Sequence, residues 1–221
     1  MKWMIAFLLI LCLFPLVSCQ SMKNVIPSEM NPNDLPDERA LQDEFTREFL
    51  QSAEETRPGY YPFLSKTGKY KMDFPAQGII GDRQYTLNKK NFEGLVVGVL
   101  TNNDVINDFT LFYFGGEEID NLDHSLDAFQ KRVGKEVEFE EIEDTNKVIY
   151  YNTFERNNFY NHIAYIQNKE NSGAIELIYS IDCLGNDQCS DKSENDKEII
   201  HNWLKTIQFI NKDDRMNNQG N

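Results

Sequence analysis

The chain has 221 residues with 36 acidic and 22 basic side chains, which gives a formal net charge of −14 at pH 7. Nucleic-acid binding depends on clustered Lys and Arg that displace counterions from phosphates, and the sequence contains no such cluster. The same deficit of basic residues excludes electrostatic attachment to anionic lipid. The 15 Phe and 10 Tyr residues supply enough apolar material for one core of about 150 residues.

The first 18 residues have the order of an export signal. Lys2 precedes an uncharged apolar run over 4–17, which is too short for a spanning helix of about 20 residues. The run ends in Leu16-Val17-Ser18-Cys19, which resembles the lipobox of bacterial lipoprotein signal peptides. The resemblance implies cleavage before Cys19 and a diacylglyceryl group on its sulfur, and two acyl chains hold a protein stably at a bilayer. A buried helix or an uncleaved anchor is the alternative.

The mature N-terminal region is predicted to contain a linker followed by a helix. Residues 19–37 are rich in Pro, Asn and Asp, which is typical of a flexible tether. From Asp37 to Glu55, apolar residues at every fourth position predict a helix that packs on the protein's own core, and Pro58-Gly59 would end it. The alternative is a helix that binds a partner or faces lipid. The apolar positions are Leu41, Phe45, Phe49 and Ala53.

The remaining pattern predicts an α+β fold, in which an antiparallel sheet of about seven or eight strands is flanked by two or three helices. A single domain is expected over 38–211, followed by a polar tail over 212–221. Alternating or continuous apolar runs separated by short polar turns favour antiparallel pairing. The predicted strands cover 70–74, 92–100, 109–114, 136–142, 147–154, 159–167, 174–182 and 208–210. The predicted helices cover 122–132 and 191–206.

Two cysteines of the mature chain remain after lipidation. Cys183 and Cys189 enclose a five-residue loop with a Gly-Asn turn, and an even pair in an exported chain predicts a disulfide. A redox pair is the alternative, although such pairs favour the Cys-x-x-Cys spacing. The Asp and Asn side chains around this loop are interpreted as an exposed turn rather than a calcium site, because their spacing departs from the EF-hand loop.

No catalytic motif, phosphate loop or dinucleotide-binding pattern occurs in the sequence. The three histidines, His124, His162 and His201, lack metal-ligand spacing, and His162 lies in an alternating strand that predicts a packed or half-exposed core position. The acidic pairs at 117–118 and 140–141 are predicted to be solvated surface, because neighbouring side chains of a strand point to opposite faces. The sequence therefore predicts no catalytic residue, no cofactor and no metal site.

Two families share local patterns with this chain. The segments beginning Asn31-Pro-Asn-Asp, Gln42-Asp-Glu-Phe and Pro58-Gly-Tyr-Tyr, with the late cysteine loop, resemble YvcA-like lipoproteins of bacilli over most of the mature chain. This resemblance implies an anchored envelope protein without an assigned enzymatic activity, linked to multicellular colony or biofilm growth. The segment from Gly68-Lys-Tyr-Lys to Thr206-Ile-Gln-Phe is similar in its order of elements to exported domains of the PsbP/Mog1 type, whose members are mostly binding or assembly proteins.

The sequence favours a non-enzymatic lipoprotein on the extracytoplasmic side of the cell membrane. It would bind an envelope protein or polymer through its sheet face or its first helix. The alternative is a hydrolase of wall or extracellular polymer whose carboxylates are brought together by folding. Two carboxyl groups about 5 to 10 Å apart in a cleft would favour the hydrolase, whereas a flat face with exposed aromatic side chains would favour binding.

Overall fold

The structure is a computed structural model that describes residues 25–89, 91–101, 106–116, 121–183 and 189–211, with no side chains described for 189–195. The expected signal peptide, the lipidation site Cys19 and the polar tail over 212–221 lie outside the described residues. Four α-helices and eleven strands are described. The helices are α1 (Arg39–Gln42), α2 (Glu44–Arg47), α3 (Leu122–Val133) and α4 (Cys189–Leu204). The strands are β1 (Tyr60–Leu64), β2 (Tyr70–Pro75), β3 (Gly78–Ile80), β4 (Thr86–Asn88), β5 (Phe92–Leu100), β6 (Ile106–Phe114), β7 (Glu140–Glu143), β8 (Lys147–Arg156), β9 (Phe159–Asn168), β10 (Ala174–Asp182) and β11 (Gln208–Phe209).

The described strands form two antiparallel sheets, which confirms the predicted α+β class. A three-stranded sheet has the order β1-β2-β11. An eight-stranded sheet has the order β3-β5-β6-β10-β9-β8-β7, and β4 pairs with β5. The hairpin between β8 and β9 turns at Asn157 and Asn158, both with positive φ, as a two-residue turn of the twist-compatible type requires. Long strands with polar turns thus produce a meander, as the sequence pattern predicts.

The two faces of the eight-stranded sheet are covered unequally. One face packs against the three-stranded sheet and α4, and residues from all of these elements share one core that includes Phe63, Phe109 and Trp203. The opposite face carries a smaller core, in which Phe129 of α3 packs with Tyr165 of the sheet. A single 12-residue helix is much narrower than an eight-stranded sheet. The second face is therefore the one on which side chains lie at the boundary between core and solvent.

The prediction of one continuous helix from Asp37 to Glu55 is wrong. The backbone becomes extended at Asp43, whose carboxylate accepts hydrogen bonds from the Thr46 N–H (2.8 Å) and hydroxyl (2.6 Å) and starts α2 as an N-cap. After Arg47 the chain runs beside β1, because the Phe49 carbonyl accepts from the Leu64 N–H at 2.9 Å. The predicted apolar side chains do reach the core, but from two short helices and an extended segment. The apolar positions of this segment therefore pack on the protein's own core, as the sequence predicts.

The folded part begins before the boundary expected at residue 38. Short 3₁₀ helices cover Pro27–Glu29 and Pro32–Asp34, and Leu35 is only 7% exposed within the main core. The Gln42 side chain donates to the carbonyl of Pro36 at 3.1 Å, which holds this segment against α1. The proline-rich stretch from residue 27 onward therefore packs as part of the domain.

Helix α3 is positioned by residues at both of its ends. The Asn121 side chain caps the helix by accepting a hydrogen bond from the His124 N–H at 3.2 Å. Gly134 ends the helix in the left-handed region, with φ of 68°, a conformation that costs glycine least. The Arg156 guanidinium donates to the Val133 carbonyl at 2.9 Å and ties this end of α3 to the tip of β8. These contacts fix the helix over the second face of the sheet.

Candidate functional site

A cleft of about 350 Å³ lies between α3 and the second face of the large sheet. Helix α3 contributes polar side chains, while β6, β9 and β10 contribute two aromatic rings and a carboxyl group. Small-molecule pockets in proteins have volumes of about 300 to 1,000 Å³ and combine an apolar lining with a few polar groups. The residues that define this cleft are Phe114, His124, Ser125, Arg132, Tyr165 and Glu176.

Glu176 forms the polar floor of the cleft. It is the third residue of β10, paired in register with Phe112 on β6 and Tyr165 on β9, and it is 4% exposed. Its Oε2 atom lies 3.1 Å from the Arg132 Nη1 atom but accepts no hydrogen bond from the described residues. Burial raises the pKa of Glu176 to about 7, while the positive charge of Arg132 opposes that rise. Glu176 thus changes its charge near neutral pH.

Arg132 forms the rim of the cleft and remains partly exposed, with 40% of its side chain accessible. The guanidinium carbon lies 5.9 Å from the ring centroid of Phe112 and 5.5 Å from that of Phe114. A guanidinium over aromatic rings at these distances gains a cation–π attraction. The two phenylalanines therefore hold Arg132 between the buried carboxyl group and solvent.

Two other buried charges in the sheet form internal hydrogen bonds, although the Oε2 atom of Glu93, like that of Glu176, accepts none from the described residues. The Glu93 Oε1 atom accepts from the Tyr85 hydroxyl at 2.8 Å and from the Lys66 N–H at 2.9 Å. The Lys147 ammonium donates to the carbonyls of Lys205 (2.7 Å) and Ile207, just beyond the end of α4. Both side chains are fully buried, so we assign them to the stability of the fold. Glu176 differs from them because it lines a cleft.

The predicted core position of His162 is confirmed, since this side chain is 1% exposed. Its Nδ1 atom lies 2.6 Å from the Tyr151 hydroxyl, and His201 of α4 meets the Tyr151 ring edge to face at 4.2 Å between centroids. Burial lowers the pKa of His162 to about 4, which keeps the imidazole neutral at neutral pH. The cluster joins α4 to β8 and β9. His124 is separate from it, exposed on α3 at the cleft.

The remaining sequence-predicted sites do not converge on the cleft. Glu140 and Glu141 lie on β7, where both are exposed and Glu140 forms an ion pair with Lys197 at 2.9 Å. Cys183 follows β10, but residues 184–188 and the side chain of Cys189 lie outside the described residues, so the disulfide stays a prediction. Glu117 and Glu118 also lie outside them. Within the part of the chain that the structure describes, no group of three His, Cys, Asp or Glu residues is arranged to hold a metal ion.

The sequence analysis predicted neither Glu176 nor Arg132, the two residues of the ion pair at the cleft. Glu176 is the one charged residue in the run Ala-Ile-Glu-Leu-Ile-Tyr, where period-two alternation places it on the same face as Ala174 and Ile178. A lone acid on an otherwise apolar face was the available signal. Its partner Arg132 lies 44 residues away on α3 and has no such signal, because its position follows from how the helix packs on the sheet.

Comparison with known proteins places the chain in a family. A family model described as "Putative lipoprotein YvcA" matches residues 36–208, and the chain belongs to this YvcA_Mog1p family of lipoproteins. The chain is 28% identical over 199 residues to the "Putative lipoprotein YvcA" of Bacillus subtilis (strain 168), covering 84% of this chain and 83% of that protein. These matches confirm the resemblance to YvcA-like lipoproteins and the Mog1-like fold.

One solved structure, from Bacteroides thetaiotaomicron VPI-5482, is similar over 68% of this chain, with a TM-score of 0.39 and 13% sequence identity. The similarity spans about half of that structure, 48% of its chain. In the described part of the present chain, none of the helices has the length and apolar character needed to cross a membrane. Family membership identifies a membrane-anchored lipoprotein.

We predict that Glu176→Gln changes how stability depends on pH. The folded-state pKa of about 7 lies above the ordinary value of 4.5, so the folded state retains a proton that the unfolded state loses as pH rises through this window. The wild type should lose stability between about pH 4.5 and 7, whereas the glutamine variant lacks this loss. Its free energy of unfolding relative to wild type should therefore increase by about 1 to 3 kcal/mol from pH 4.5 to pH 8.

Urea unfolding of both proteins at several pH values measures this difference. Glu141→Gln, at an exposed position of β7, is the matched control and should track the wild type at each pH. A Glu176→Gln curve parallel to that of the wild type would show that the folded state does not hold the proton on Glu176.

Proposed function

We propose that this chain is a lipid-anchored binding protein on the extracytoplasmic side of the cell membrane, with the cleft beneath α3 as its ligand site. The lipobox ending at Cys19 and membership of a lipoprotein family support the anchor and its location. A signal peptide of this type delivers the folded domain to the outer side of the membrane. The proposed function is non-enzymatic recognition of an envelope component.

The observation that carries the binding role is the ion pair between the buried Glu176 and the partly exposed Arg132. Burial of a carboxyl group costs free energy unless hydrogen bonds satisfy it, and the buried Oε2 atom of Glu176 accepts none from the described residues. A ligand that donates to this oxygen would recover part of the cost. An unsatisfied buried group calls for an explanation, and the cleft beside this one supports ligand binding.

Polymer hydrolysis is the alternative that the sequence left open. Most glycoside hydrolases use two carboxyl groups, about 5 to 10 Å apart, as acid and as base or nucleophile. The described lining of the cleft contributes one carboxyl group, that of Glu176, beside the permanently charged Arg132. This composition supports binding over hydrolysis as the role of the cleft.

Replacement of Cys19 by serine should remove the protein from the membrane. The serine variant lacks the sulfur that would carry the diacylglyceryl group, and without two acyl chains an acidic domain has no stable hold on a bilayer. We expect loss of the lipid-modified, globomycin-sensitive form, measured by mass spectrometry of the N-terminal peptide. Cys183→Ser is the matched control and should retain the modification. A wild-type product with residues 1–18 still attached would contradict the proposal.

A role in colony or biofilm development would follow from recognition at the cleft. In a host strain that lacks this protein, we expect the wild type to restore colony architecture and Arg132→Gln to fail. Arg132 contacts Glu176 and two aromatic rings, whereas the neighbouring Lys131 forms an exposed ion pair with Asp127 at 2.6 Å. Lys131→Gln is therefore the control and should restore colony architecture as the wild type does. Equal restoration by both variants, at equal protein levels, would show that colony architecture does not depend on the cleft.

A further inference from the structure

When Glu176 is ionised, the floor and rim of the cleft carry one negative and one positive group at close range. The Glu176 Oε2 and Arg132 Nη1 atoms are 3.1 Å apart. An ionic group in contact with one of them, at about 3 Å, lies at most about 6 Å from the like charge of the other. Because the Coulomb energy falls as the inverse of the distance, the repulsion offsets about half or more of the attraction. The site therefore disfavours ligands with a net charge and favours ligands that are neutral overall.

The hydrogen-bonding capacity of the same two groups requires a ligand with adjacent donors and acceptors. A carboxylate accepts only, and the buried Oε2 atom accepts from none of the described residues. A guanidinium only donates, through a planar set of five N–H bonds. Neighbouring hydroxyl groups on a ring meet both requirements, since one hydroxyl donates to the carboxylate while the next accepts from the guanidinium. Ser125 and His124 on α3 add further polar groups at the rim.

The aromatic lining suits the apolar side of such a ring. Phe114 and Tyr165 line the cleft, on strands on either side of β10. Sugar rings present C–H groups on their faces and hydroxyls at their edges, so a ring that packs on an aromatic side chain still reaches polar groups with its edge. Packing of these C–H groups removes apolar surface from water. A volume of about 350 Å³ accommodates one or two sugar units.

We propose that the cleft beneath α3 binds a neutral saccharide unit, whose adjacent hydroxyls bridge Glu176 and Arg132 while its ring packs against Phe114 or Tyr165. This inference rests on the proposed function, because it names the class of ligand for the same site. The shared chemistry can come from the amino-sugar glycan of the cell wall or from hexoses of a secreted polysaccharide. The N-acetyl group distinguishes the two sources.

Isothermal titration calorimetry of the full-length, lipid-modified protein tests the inference, in a detergent without a sugar headgroup. The probes are N-acetylglucosamine and its β-1,4-linked disaccharide for the wall source, and glucose and galactose for the secreted source. We expect at least one probe to bind with a Kd of about 1 mM or tighter. Binding confined to the N-acetylated probes identifies wall glycan, and binding confined to the hexoses identifies secreted polysaccharide.

The variants Glu176→Gln and Arg132→Lys test the site. Each should weaken binding by about tenfold or more, because Glu176→Gln replaces a charged acceptor by a neutral amide and Arg132→Lys loses the planar set of N–H donors. Arg132→Lys keeps the charge at a half-exposed position and loses only the planar arrangement of N–H donors, so this variant should retain the fold. It therefore tests the site even if Glu176→Gln proves unstable. The controls Glu141→Gln and Lys131→Gln should bind as the wild type does.

The outcomes separate this inference from the proposed function. Binding of glycine or of alanyl-alanine, but of no saccharide, with loss in the two cleft variants would overturn the saccharide class and leave a binding cleft in place. Saccharide binding that is unchanged in both variants would overturn the site. The absence of heat with every saccharide and zwitterion up to about ten times the expected Kd would overturn both proposals.

Discussion

The architecture depends on covering the eight-stranded sheet from two sides with elements of different size. One face is matched by a second sheet and α4, which form a continuous apolar core. The short helix α3 packs on the other face, so the central strands are covered while the sheet surface beside the helix stays open to solvent. Burial of the central strands places Glu176 below the surface, and the narrowness of the helix places Arg132 at the edge. The ion pair is a consequence of that mismatch, and the cleft is the space that remains around it.

An ion pair at such a boundary has properties that neither an exposed nor an enclosed pair has. An exposed pair is screened and contributes little, whereas a fully buried pair must be completed by internal hydrogen bonds. Glu93 and Lys147 are fully buried side chains at separate places in the sheet, where Glu93 accepts from a tyrosine hydroxyl and Lys147 donates to main-chain carbonyls. Glu176 lies deep enough for burial to raise its pKa, yet it faces a cleft that a ligand can enter. The Glu176 carboxyl group therefore both faces the ligand cleft and changes its charge near neutral pH.

Much of the fold follows from the spacing of apolar residues and from the turn residues between the apolar runs. The parts that do not follow have identifiable causes. Strand β10 (Ala174–Asp182) and the long β5 agree with prediction because long apolar runs are bounded by turn residues. Strand β1 was missed because Pro62 lies at its centre, and the continuous N-terminal helix was wrong because Asp43 caps a new helix within a regular apolar spacing. The cleft could not be predicted, since α3 and β10 meet only through tertiary packing. The sequence indicates one feature of the site, a single acidic residue in an apolar strand.

The central claim is that packing of α3 on the sheet buries Glu176 beside Arg132 within a ligand cleft. The most direct test is a carbon-13 NMR titration of the Glu176 carboxyl group in the full-length protein, for the wild type and for Arg132→Gln. The account predicts an apparent pKa of about 7 in the wild type and a higher value in the variant, because the guanidinium charge favours the carboxylate. A value near the ordinary 4.5 that does not respond to loss of Arg132 would contradict the burial, the ion pair and the cleft together.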